Sequence, residues 1–113
     1  MSEKARHLDQ VTDGLLQIEI ELRQLGVWQT ESLPPEAFQS TQPFCLDTMD
    51  FTQWLQFVFL EKMKALVEAG HALPEVSGIA PMAEEHFRWR EQSGRELISA
   101  LEEMDRLLSS GGR

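Results

Sequence analysis

Side chains able to do nucleophilic, acid–base or metal chemistry are few in this sequence and poorly spaced for it. Cys45 is its one cysteine, and a thiol attacks only as the thiolate, which calls for a base or a cation beside it. Cys45 instead lies between Phe44 and Leu46 in a stretch without histidine, lysine or arginine, so a buried structural role is expected. His7, His71 and His86 fall in three separate segments, and no two of them stand four residues apart as a zinc-binding helix face would place them. Glu68 and His71 have the E-x-x-H letters of a ferritin-like ligand pair, but Gly70 between them ends the helix that would carry both. The acidic neighbours Glu84 and Glu85, or Glu102 and Glu103, are adjacent and cannot flank one bond as acid and base. Neither G-x-x-x-x-G-K-[ST] nor G-x-G-x-x-G occurs to cradle a phosphate. The sequence thus predicts no catalytic residue, no metal and no cofactor, and a protein that works by binding.

Binding has a better address. Phe38-Gln39-Ser40-Thr41-Gln42-Pro43-Phe44 is followed by Asp47-Thr48-Met49 and then by Trp54-Leu55-Gln56. Its polar residues can serve the loop's own backbone, with the aromatics capping a core. Alternatively the run is a recognition surface of aromatic anchors with polar edges. On that reading Phe38, Ser40, Thr41, Gln42, Phe44, Asp47 and Trp54 form or shape the contact with a partner. Trp28 and Trp54 suit either a core or an anchor role. Trp89, flanked by Arg88 and Arg90, lies off the stripe through Ala83 and Phe87 and is expected to be exposed.

Composition narrows the class of partner. At 113 residues the chain is one small domain, with 42% apolar residues to build a core. Nineteen acidic residues against ten basic give a net charge of -9, the opposite of the basic footprint that nucleic acid demands. A basic protein would be steered toward such a surface. No apolar run is long enough to span a bilayer, and MSEKARHLDQ lacks the apolar core of a secretory signal. With a lone cysteine, a cytoplasmic protein without membrane contact is expected.

The elements that must position these residues are helical. Leu8, Val11, Leu15, Ile18, Leu22 and Leu25 alternate steps of three and four, predicting helix 1 over about residues 4–25, stopped by Gly26 and Val27. Residues 26–50 have no helical or alternating period, yet they hold too much apolar surface for a free linker. An ordered loop is expected, with a helical turn after Pro35. Asp50 and Gln53 read as a capping box opening helix 2 over about 51–69, apolar round most of its first half and stopped by Gly70. Helix 3 is expected over about 81–91. Helix 4 is expected over about 94–108, opened by the S-x-x-E box Ser93–Glu96 and buried along Leu97, Leu101, Met104 and Leu108. Gly14, inside helix 1, suggests a close crossing. The fold class is all-α, a small four-helix bundle with one long ordered loop between helices 1 and 2.

Residues 38–49, F-Q-S-T-Q-P-F-C-L-D-T-M, and 54–58, W-L-Q-F-V, resemble the YqcC-like family of small bacterial helical proteins. The likeness extends through Leu73-Pro74 and Ala80-Pro81 to a closing L-x-x-L-D-x-L-type helix, in which Met104 stands where leucine is expected before Asp105. The resemblance implies a four-helix bundle encoded beside tRNA pseudouridine synthase C, whose name some family descriptions carry. Pseudouridine synthases as a class use a catalytic aspartate in a large mixed sheet with a basic tRNA groove, which this short acidic chain does not provide. What the resemblance implies is therefore a non-catalytic accessory that binds the synthase. The alternatives are a small helical ligand-binding protein, or a bundle self-associating through the helix 1 seam, neither linked to tRNA.

Overall fold

The alternating three-four steps of the N-terminal segment close into α1 (Glu3–Gln24) in the computed structural model, which describes residues 3–75, 78–91 and 93–109. Its stop is a Schellman motif: Gly26, at φ 76°, donates to the Arg23 carbonyl, and the Val27 N–H to the Leu22 carbonyl. The same pair of bonds, from Gly70 and His71, ends the second helix.

That second helix, α2 (residues 51–69), is α-helical over Phe51–Trp54 and Glu61–Ala69, with π-helical turns over Leu55–Leu60 between them. Asp50 and Gln53 open it with the expected reciprocal capping box; Gln53 Oε1 accepts the Asp50 N–H at 2.8 Å. The π segment has a cause in the burial pattern. Phe51, Leu55, Phe59 and Met63 are all buried and four residues apart. In a straight α-helix of 3.6 residues per turn, such steps drift by about 40° each. Wider turns cancel the drift and keep these side chains on the core.

The third helix, α3 (Ile79–Phe87), starts two residues earlier and stops four earlier than the sequence suggests. Gly78 precedes it at φ 88°, and the cap comes from far along the chain: Asp105 Oδ1 and Oδ2 accept the N–H groups of Ile79 and Ala80 at 3.1 and 2.9 Å. Pro81 is thereby the third residue of the first turn, where its missing N–H costs nothing. The final helix, α4 (Arg95–Ser109), departs from the S-x-x-E register. The Ser93 hydroxyl takes the Arg95 N–H, at 3.4 Å, and Gly94 lies between them at φ 61°. A Cβ on Gly94 would come within 2.6 Å of the Phe87 ring, so close packing of the α3–α4 turn fixes the helix start.

α4 packs along both α1 and α3, and α2 lies across α1. Val11, Leu15, Ile18 and Leu22 meet Leu97, Leu101, Met104 and Leu108 in one continuous core with the inner faces of α2 and α3. Gly14 marks the expected close crossing, because a Cβ there would stand 2.7 Å from Met104 Cε. The described residues form four helices and no strand. The helix 1 seam is buried inside the chain's own core, while Leu16 and Ile20 stay exposed on the outer side of the same helix.

Candidate functional site

Residues 26–50 are laid down against α2 by a clamp of side-chain amides. Gln56 is buried within α2; its Oε1 accepts the Gln29 N–H at 3.0 Å and its Nε2 donates to the Gln29 carbonyl at 2.7 Å. A primary amide thus pairs with a backbone amide as a neighbouring strand would. Gln53 Nε2 adds a third bond, to Gln29 Oε1 at 2.7 Å. Beside the clamp Trp28 is half-buried, with the Arg23 guanidinium 4.5 Å above its ring.

Beyond the clamp the chain makes a helical turn at Pro35–Gln39, begun by proline as expected, and a second at Pro43–Cys45. The polar residues of the motif mainly serve this loop. The Ser40 hydroxyl donates to the Asp47 carboxylate and accepts the Gln42 N–H at 3.0 Å. Thr48 Oγ1 donates to the Ala37 carbonyl at 2.7 Å and also reaches the Cys45 carbonyl at 3.2 Å. Phe44 and Cys45 lie at φ 58° and 51°, a left-handed pair that costs residues with side chains roughly 1–2 kcal/mol each. Cys45 is half-buried, not buried as its neighbours suggested; its backbone closes the turn, taking the N–H groups of Thr48 and Met49 on its carbonyl at 3.0 Å.

The strained turn delivers the Phe44 ring to an aromatic cluster. Phe44 meets Trp54 edge-on at 4.8 Å, Trp54 stacks on Phe51 at 6.0 Å, and Phe51 lies 6.1 Å from the His86 ring on α3. Trp54 and Phe44 are both half-buried, members of this cluster more than free anchors. Of the seven expected contact residues, Phe38, Thr41, Gln42 and Asp47 are exposed, with Phe38 at 44%. The Thr41 and Gln42 side chains make no hydrogen bond within the described residues, which leaves them available. Ser40, Phe44 and Trp54 are half-buried.

Next to the cluster, the turn before α2 and the outer face of α3 enclose an open groove of about 190 Å3. Met49, Phe51 and Met82 floor it, while Leu46, Asp50, Glu85 and His86 form its rim. Burial, and then the charge of Arg90, hold the His86 imidazole below its ordinary pKa of 6.5, against the pull of Asp50. Sequence reasoning missed this groove because its two sides are over thirty residues apart, and no spacing rule joins Leu46 to His86. Gln29 was missed for the same reason. Among the described residues no three His, Cys, Asp or Glu side chains converge as a metal site would need. Nor is any helix there long and apolar enough to cross a membrane.

Comparison with known proteins adds relatives to this geometry. The model of the DUF446 family, described as tRNA pseudouridine synthase C, matches residues 10–107. A Haemophilus influenzae protein named only as uncharacterized is 44% identical over 80 residues, 71% of this chain and 76% of that one. The Escherichia coli protein YqcC is 32% identical over 101 residues, covering 89% of this chain and 93% of its own. Its solution NMR structure superposes with a TM-score of 0.81 at 30% identity, over 95% of this chain and 92% of that one. A Pectobacterium carotovorum protein named tRNA pseudouridine synthase C is 48% identical over 66 residues, 58% of this chain but only 18% of that longer protein.

Proposed function

The chain belongs to the YqcC-like DUF446 family, and from that premise we propose that it is a non-catalytic protein-binding module that serves a tRNA pseudouridine synthase. One observation carries the reading: a stretch 48% identical to this chain makes up 18% of a longer protein that bears the synthase name. When a segment of this kind is joined covalently to another chain, the two work side by side, and a separate copy is expected to find the same neighbour by surface contact. The name itself is not taken as this chain's activity. The described residues form no strand, and Asp47, the one aspartate of the resembling motif, is occupied in bonding Ser40 within a loop.

The contact surface of this reading is the exposed edge of the 38–47 loop, with Phe38 as anchor and Thr41, Gln42 and Asp47 around it. The net charge of -9 would draw in a basic partner over long range. The experiment is a capture of the tagged chain from its own host at low salt, with mass spectrometry of the bound proteins. A pseudouridine synthase that is enriched, and released by a high-salt wash, is the expected result. Retention unaltered by simultaneous alanine substitution at Phe38, Thr41 and Gln42 would dismiss the loop surface, since all three are exposed and their loss leaves the core intact.

A further inference from the structure

The groove beside the loop has an apolar floor and two carboxylates on its rim. Met49 and Phe51 are buried at its base, while the Asp50 and Glu85 carboxylates stand exposed on its two sides. Leu46, half in water at 50% exposure, overhangs it. Along α3 the spacing Met82, Glu85–His86, Trp89 runs down one helix face, and Arg88 keeps helical backbone angles past the end of the helix. Trp89 follows two residues past the helix end, outside the groove's lining, and at 89% exposed it is the most open large apolar side chain described. Such a surface suits a side chain that is itself part apolar and part cationic. A lysine or arginine stem lies along apolar surface while its head stays near water and the carboxylates. The face of an indole also attracts a cation. Two of the chain's own cations share this rim, so an incoming one must compete with them. Arg88 holds Glu85 by an exposed ion pair at 3.1 Å, worth little in water, and Arg90 Nε is turned back to the His86 carbonyl at 2.9 Å.

We propose that this groove, together with Trp89, binds a lysine- or arginine-bearing segment of a partner protein, a reading that rests on and deepens the protein-binding function above. The probe is a short fluorescein-labelled peptide of alternating lysine and leucine, with a glutamate–leucine peptide as control, titrated by anisotropy at low salt. The lysine peptide should bind the wild-type chain at least about tenfold tighter than the control, and Glu85→Lys or Trp89→Ala should each weaken it by about fivefold or more. Both positions are exposed, so unchanged helical circular dichroism is expected and shows that the variants are folded. Equal binding of the two peptides, or variants that bind like wild type, would overturn the proposal. So would tRNA retained by the wild type and released by Trp89→Ala, which would assign the face to RNA. The peptide result decides the groove whether or not a synthase binds. Purified synthase that holds wild type and both variants alike would place the synthase contact away from the groove and leave the partner reading in place.

Discussion

Gln56 is a buried amide whose two ends are both taken by the backbone of Gln29, so its removal leaves a donor and an acceptor without partners. Gln56→Ala should lower stability by about 1–3 kcal/mol, read from the urea midpoint, and should loosen residues 27–33 in hydrogen exchange. A cost indistinguishable from zero would mean the clamp is ornamental. Two titrating side chains give separable pH signatures. His86 is harder to protonate in the folded protein than in the unfolded chain, mainly through burial. The unfolded state therefore binds its proton first, and stability falls as pH drops below about 6.5. His86→Gln should flatten that part of the profile between about pH 7.5 and pH 5.5. Glu19 acts lower. Burial opposes its charge, but hydrogen bonds and charge from Lys64 and Arg23 outweigh this and hold its carboxyl below 4.5. Its contribution is present above that value and lost as pH falls through the lower folded one, so Glu19→Gln should leave the His86 phase unchanged. At this scale the sequence is least legible. Gln56 stands out as a polar residue in an apolar run, but its partner is 27 residues away and has no signal of its own.

The helices were legible where a local cause sets them. The α1 stripe, both glycine stops and the Asp50–Gln53 box are written within a few residues, and each is present in the structure. The errors fall where a distant residue decides. α3 begins at Ile79 because Asp105 on α4 reaches back to cap it, and α4 begins after Gly94 because that residue lies against Phe87. Asp105→Ala should cost about 0.5–2 kcal/mol, with faster exchange of the α3 amides, and Asp105→Asn should cost less. Gly94→Ala should be worse than Gly70→Ala. Both adopt positive φ, near 61° and 69°, but only at position 94 does the new methyl meet a ring. Equal costs would deny the close approach. The π segment of α2 was legible in principle: Phe51, Leu55, Phe59 and Met63 repeat every four residues, a period too long for a straight α-helix.

Over the whole molecule, the core consumes the seams the sequence advertises and leaves Leu16 and Ile20 exposed on α1 and a second apolar edge elsewhere. Phe38, Leu46 and Trp89 are open to water along the loop and α3 in a chain of net charge -9. The fold and its family followed from helical periods and one specific run of residues. The exposed loop residues and Trp89 were also read from the sequence, but the groove was not, because it is assembled from the loop and from α3 only once the bundle has formed. An attraction carried by net charge weakens as salt shortens the Debye length from about 10 Å at 0.1 M to about 3 Å at 1 M. The most direct test is calorimetric titration of the purified chain into the tRNA pseudouridine synthase C of the same bacterium, at low and at high salt. Saturable binding that weakens at least about tenfold with salt, and that is further weakened by alanine at Phe38, Thr41 and Gln42, is the predicted result. No heat of binding at either salt concentration would contradict the account.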